Sequence, residues 1–198
     1  MAVDQSPTIS FSHELRRKAI HLTALLIPIG LWILPEYAAL PILGFLAGSC
    51  LIADLLRMSH SMAAHIFLRI FGPLLRDHEK GKRLTGSTYL LIGSFLCAWG
   101  FGTEIAILAL LYLIFGDAVA ALVGRLWGRV RIGKKTLEGS ASCLFVCVGI
   151  ALISRSVPLH AALVGALVAT FVEWLPWPMD DNLTIPIIAG LVIKVLTL

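Results

Sequence analysis

The chain has 198 residues, 58% of them hydrophobic and only 14% charged, with a mean hydropathy of +0.90 and a net charge of +4. These values exclude an ordinary soluble domain, and the modest charge gives no reason to expect a nucleic-acid partner. Apolar runs of transmembrane length recur from about Ile20 to the C-terminus. The expected fold class is therefore all-α: a polytopic transmembrane helical bundle of about seven spans, forming one integral membrane domain over residues 1–198.

In chain order, residues 1–19 are polar and then basic, and the apolar run that follows continues into further spans. It reads as a signal-anchor and not as a cleaved signal peptide. Apolar runs set against Pro and Gly breakers predict spans near 20–34, 38–56, 86–102, 104–123, 139–154, 159–175 and 184–198. Several are shorter than the roughly 20 residues of a perpendicular span, so their boundaries are expected to extend or their helices to sit in a thinned site. Cys50, Cys97, Cys143 and Cys147 all fall inside apolar runs and read as small core residues.

Lys and Arg set the orientation, because cytoplasmic loops retain them. With alternating spans, 14 of the 16 basic residues fall on one side: three before span one, six between spans two and three, five between spans four and five. The N-terminus is expected to be cytoplasmic, in an inner-membrane, multi-pass protein. The cytoplasmic linker 57–85 contains SMAAHIFLRIFGPLL, whose interleaved apolar and polar residues predict an interfacial helix and not an eighth span.

Three polar clusters gather on that side. The first is FGDAVAALVGRLWGRVRIGKKTLEGS, running from Phe115 to Ser140, with 124–138 as its cytoplasmic loop region. Asp117 lies at membrane depth, where a carboxylate is costly unless paired, hydrated or metal-bound. Gly116, Ala120, Gly124 and Gly128 make one smooth helix face, which suits close packing or the approach of a ligand. Lys134, Lys135 and Thr136 precede a helix N-terminus with Glu138 beside them, a set that suits a polyphosphate and its Mg²⁺. No GxxxxGK[ST] run is present, so this is not a P-loop.

The second cluster is Glu173, then Asp180, Asp181 and Asn182, an oxygen-rich turn suited to Mg²⁺. The third is N-terminal: Glu14, Arg17 and His21, where His21 enters the first span and calls for a partner. Acidic oxygens, a Lys-Lys-Thr loop and a membrane bundle together point to phosphoryl or nucleotidyl transfer to an amphiphile.

Glu14-Arg16-Arg17-Lys18 with His21, Thr85-Gly86, Gly116-Asp117 with the spaced glycines, Lys134-Lys135-Thr136 with Glu138-Gly139, and Asp181-Asn182 with Pro186 resemble the dolichol kinase, phytol kinase and CTP-dependent diacylglycerol kinase family. The resemblance covers nearly the whole chain, and the GD…G…G…KKTxEG run is its specific part. It implies a membrane lipid-alcohol kinase with CTP as phosphate donor and Mg²⁺ as cofactor. By position, Lys134, Lys135, Thr136, Gly124, Gly128 and Asn182 would serve the nucleotide. Asp117, Glu138 and Asp181 would serve the metal or the acceptor hydroxyl, Lys135 would act in catalysis, and Glu173 would stand behind them.

The same run is similar to the CTP:phosphatidate cytidylyltransferases. Those enzymes carry a further C-terminal Pro-Gly-His-Gly-Gly signature, whereas this chain reads EWLPWPMDDNLTIP there. The departure favours the kinase. A small ion-coupled transporter is the remaining alternative, disfavoured by the absence of a clear internal repeat and by polar residues gathered at one edge.

Overall fold

A computed structural model describes residues 21–72, 75, 79, 81, 83–133, 135–175 and 178–198. A single 3₁₀ turn, Thr23–Leu25, leads into α1 (Leu26–Ile33). Pro35 ends that segment and caps α2 (Glu36–Ser59); after His60 the chain turns into the short α3 (Ser61–Phe71). Thr85 caps α4 (Gly86–Phe101), its side chain accepting from the Thr88 amide. Gly102, at φ +100°, makes the tight joint to α5 (Thr103–Trp127), a backbone conformation that favours glycine.

A two-stranded antiparallel hairpin follows, β1 (Arg131–Ile132) with β2 (Lys135–Thr136), Arg131 opposite Thr136 and Ile132 opposite Lys135. Gly133 turns it at φ +64°. Thr136 then caps α6 (Leu137–Ile153), Pro158 precedes α7 (Leu159–Trp174), and Asp180 caps α8 (Asp181–Leu196).

α5 is the central helix. It packs against α6 and α8 most extensively, then against α4, α1 and α7, while α2 lies outside on α4. Leu108, Leu110, Leu113 and Ile114 on it are buried, and the Tyr112 hydroxyl donates to the Ala162 carbonyl at 2.8 Å. Small residues bring the helices together, as membrane bundles require when lipid is as apolar as leucine. Gly116 faces the Cys143 and Cys147 sulfurs, and Gly190 faces Cys97 and Phe101. Pro186 cannot donate to the Asn182 carbonyl one turn back, and Gly93 of α4 packs against that oxygen.

The outer surface is apolar: Trp32, Tyr37, Phe45 and Phe145 are 78%, 83%, 74% and 82% exposed. A surface of that kind is matched by lipid and not by water. Among the described residues, two helices, Glu36–Ser59 and Thr103–Leu126, are long and apolar enough to cross a membrane. α4, α6, α7 and α8 have 16 or 17 residues, which makes them short for a perpendicular span.

Every expected span coincides with a helix, and the segment expected to be interfacial forms α3. The departure from an all-α chain is the hairpin, whose two-residue strands are too short to show a period in sequence. All four cysteines are free; Cys97, Cys143 and Cys147 are core residues as expected, whereas Cys50 is only half-buried, and Cys143 and Cys147 lie 4.0 Å apart, sulfur to sulfur.

A Cβ added at Gly93 would lie 2.8 Å from the Asn182 carbonyl oxygen and 3.1 Å from Leu183 Cα, neither of which can rotate away. Gly93→Ala is expected to lower stability in detergent by about 1–3 kcal/mol. Gly149→Ala, with no atom within 4 Å, is expected to leave it unchanged or slightly raised. Thermal unfolding of the two variants side by side checks the α4–α8 contact, and equal midpoints would contradict it.

Candidate functional site

The polar ends of α5, α7 and α8 and the hairpin meet at one end of the bundle. The hairpin register sends Lys135 toward the junction of α7 and α8, where its ammonium lies 3.0 Å from Glu173 Oε1 and 3.1 Å from Asp181 Oδ2. Glu173 is buried at the end of α7, and its second oxygen accepts from the Ser140 hydroxyl of α6 at 3.3 Å. One lysine thus ties three helices together through two carboxylates.

The electrostatics follow from that geometry. Burial alone would lower the Lys135 pKa, but the Glu173 and Asp181 carboxylates outweigh it and hold the ammonium above its ordinary value. Asp181 precedes the apolar part of α8. Burial pushes its carboxyl up, Lys135 opposes that, and the charges of Asp117 and Glu173 add to the push. Three carboxylates therefore share one field, with more negative charge than Lys135 alone neutralises.

Asp117 occupies the α5 face one residue beyond Gly116, and its Oδ2 lies 3.5 Å from His21 Nε2 at the start of the described chain. The N-terminal histidine expected to need a partner is thus beside the carboxylate at membrane depth. Asp117 and Asp181 remain partly open, with side chains 24% and 33% exposed.

The spaced glycines are occupied by protein. A Cβ at Gly124 would meet Thr136 Oγ1 at 2.6 Å; one at Gly128 would meet the Gly124 carbonyl and the Thr136 methyl; and Gly139 faces the Ala120 carbonyl. Their structural use is the close approach of α5 to the start of α6. Thr136 serves the same joint, accepting from the Gly139 amide at 3.1 Å.

Glu138 is half-buried, and its two carboxylate oxygens accept from the Val130 amide at 3.2 and 3.3 Å. Hydrogen bonds from its own amide and from the backbone of Arg129 and Val130 hold its pKa below the usual carboxylate range. Asn182 donates to the Gly86 carbonyl at 3.1 Å, joining α8 to α4. Glu14, Arg17 and Lys134 lie outside the described residues. Among the described residues, no group of three or more His, Cys, Asp or Glu side chains stands close enough to chelate one ion.

One constellation escaped the reading of the sequence. Asp54 and Arg57, one turn apart at the end of α2, are 1% and 4% exposed. Arg57 Nε and one terminal nitrogen contact Asp54 Oδ1 at 3.0 Å. The guanidinium also donates to the carbonyls of Glu79 and Gly81, each at 2.9 Å, and of Arg83, and it lies over the Phe67 ring. Asp54 Oδ2 accepts from the Thr85 amide at 2.7 Å, the Thr85 hydroxyl at 3.0 Å and the Thr88 hydroxyl at 2.7 Å. An Asp-x-x-Arg pair inside an apolar run was the available signal, by the rule that singled out Asp117.

No family model matches the chain, and no solved structure matches it. Among known proteins, the chain is 29% identical over 204 residues to CTP-dependent diacylglycerol kinase 1 of Schizosaccharomyces pombe, covering 91% of this chain and 92% of that one. It is 26% identical over 189 residues to an uncharacterized protein of Rickettsia prowazekii, covering 91% and 93%. It is also 26% identical over 211 residues to CTP-dependent diacylglycerol kinase 1 of Eremothecium gossypii, covering 90% of this chain and 66% of that one. The similarity to the two CTP-dependent diacylglycerol kinases runs along about nine tenths of this chain, and it agrees with the resemblance that the motifs carry to the dolichol kinase, phytol kinase and CTP-dependent diacylglycerol kinase family.

Proposed function

We propose that this protein phosphorylates a membrane lipid alcohol with CTP as donor, and that diacylglycerol is the first acceptor to test. The observation that carries the reading is Lys135, held between Glu173 and Asp181 at the polar end of an apolar bundle. The relatives that print a function are CTP-dependent diacylglycerol kinases, and that supports the donor and the acceptor class. Phytol and polyprenols are further acceptors implied by the sequence resemblance.

The chemistry joins the acceptor hydroxyl oxygen to the γ-phosphorus of CTP and breaks the bond from that phosphorus to the β,γ-bridging oxygen; CDP leaves. Phosphoryl transfer of this kind depends on positioning and on neutralising charge. Lys135 supplies a permanent cation beside the phosphates, its charge secured by the two carboxylates. Asp117, with His21 beside it, orients the hydroxyl and takes its proton. The acceptor tail remains in the apolar surroundings while the hydroxyl sits at the interface.

The residues fit a Mg²⁺ ion that arrives with the nucleotide. Such an ion is held by one or two carboxylates plus substrate phosphates, so a preformed cage is unnecessary. Asp181, with Glu173 behind it, would hold it, and the ion would neutralise developing charge on the transferring group. Glu138 acts in this reading as the clasp of the hairpin, through the Val130 amide. The basic residues support a cytoplasmic site and a cytoplasmic N-terminus by the retention of Lys and Arg on that side.

Purified protein in detergent with Mg²⁺, γ-labelled CTP and a panel of lipid alcohols is expected to give labelled lipid phosphate. Asp117→Asn is expected to lower kcat by about 10²-fold or more. Formation of CDP-diacylglycerol from α-labelled CTP and phosphatidate, with no alcohol labelled, would replace the kinase with the cytidylyltransferase. Ion-coupled uptake into liposomes by protein inactive in both assays would favour the transporter.

Lys135→Ala is expected to raise the KM for CTP about tenfold or more and to leave the acceptor KM near its original value. Glu138→Gln is expected to leave kcat close to wild type. Steady-state kinetics with each substrate varied in turn separates the roles; a collapse of kcat in Glu138→Gln would return that carboxylate to the reacting centre.

A further inference from the structure

The Asp54–Arg57 pair belongs to a peripheral long helix, yet its hydrogen bonds reach the backbone before α4 and the first turn of α4, one hydrogen bond away from Asn182 of α8. Of the five N–H groups of Arg57, four donate, to Asp54 and to the Glu79, Gly81 and Arg83 carbonyls, and the nitrogen that serves Arg83 also lies 3.0 Å from Asp54 Oδ1. At 4% exposure it presents no open face to a substrate. Its work is to fix the backbone of the segment that leads into α4.

That segment passes the constraint on. The Gly86 amide donates to Glu79 Oε1 at 3.2 Å, and the Gly86 carbonyl accepts from Asn182 at 3.1 Å. Gly86 lacks room for a side chain, since a Cβ there would lie 3.1 Å from Asn182 Nδ2 and 3.2 Å from Glu79 Oε1. Asp54 holds the start of α4 through Thr85 and Thr88. Asn182 directly follows Asp181, the residue that grips Lys135 at 3.1 Å.

A buried ion pair is a poor device for stability alone, because desolvation offsets most of its attraction and well-packed apolar residues do as well or better. It does fix geometry, through many directional bonds made at once. We propose that Asp54 and Arg57 are positioning residues that hold the first turn of α8 in register with α5, and so keep Asp181 and Lys135 opposite Asp117. The functional half of this inference rests on the kinase reading; the mechanical linkage from α2 to α8 does not.

The test is the double variant Asp54→Leu, Arg57→Met, which removes both charges together and leaves no buried ion unpaired. It is compared with wild type and with Asp54→Asn, which keeps the shape and an acceptor for Thr85. Thermal unfolding, kcat, both KM values, and hydrogen exchange at the amides of residues 182–184 are measured on detergent-solubilised full-length protein. These amides are protected by bonds to Asp180.

Expected for the double variant are an unfolding midpoint near wild type, faster exchange at 182–184, a kcat lower by about tenfold or more per folded molecule, and an unchanged acceptor KM. Asp54→Asn, which leaves the Arg57 cation buried without its counter-charge, is expected to lower the unfolding midpoint and to show the changes in exchange and kcat to a lesser degree. Unchanged kcat in either folded variant overturns the proposal, as does a loss of kcat with exchange at 182–184 unaltered. If the double variant does not fold, Asp54→Asn decides by the same two readouts. Faster exchange in the variants of a protein whose wild type phosphorylates no alcohol would uphold the linkage and overturn the kinase reading instead.

Discussion

Lys135 leaves a four-residue hairpin and enters a gap between two helix ends, where Glu173 and Asp181 receive it. Neither helix end could tolerate its carboxylate in that position alone. A carboxylate turned toward an apolar bundle carries a desolvation cost that only a cation, a metal or water can offset. The lysine offsets two at once. It therefore joins α7, α8 and the hairpin, and it supplies a positive charge at the end of the bundle where the nucleotide is proposed to bind.

The rest of the bundle is arranged so that this exchange of charge takes place at one end. The hairpin between α5 and α6, the end of α7 and the start of α8 meet at that end. Between the ends, association depends on small residues: Gly116 against two sulfurs, Gly190 against Cys97 and Phe101, Gly93 against a carbonyl that Pro186 has left without a donor. Close packing is what remains when burial in lipid distinguishes poorly between helix faces. The glycine run, which the sequence offered for close packing or for the approach of a ligand, brings α5 and α6 together, with Thr136 seated over it.

A second centre of charge, Asp54 with Arg57, stands at the other margin of the same end. The two centres differ in openness. Arg57 is buried and closed, whereas Asp117 and Asp181 retain exposed surface. Closed networks set geometry, and open ones bind and react. The Gly86–Asn182 hydrogen bond connects them, so the rigidity of the first is available to the second.

The sequence by itself determined the helices and where they break, because hydropathy and Pro or Gly punctuation are local properties and lipid enforces them strictly. It also offered Asp117, Lys135, Glu173 and Asp181 as candidates, since a charged group in or beside an apolar run is conspicuous, but it passed over Asp54 and Arg57, which obey the same rule. It did not determine which of them meet. Lys135 pairs with residues 38 and 46 positions away, and Asp54 with Thr85 and Thr88 more than 30 positions away. Such distances are closed by helix packing and leave no period or spacing behind. For the same reason Glu138, beside Lys135 and Thr136 in the chain, turned back to the Val130 amide, while Glu173, far away in the chain, came to the lysine. Only the tertiary structure decided that, because it alone fixes which oxygens share a cation.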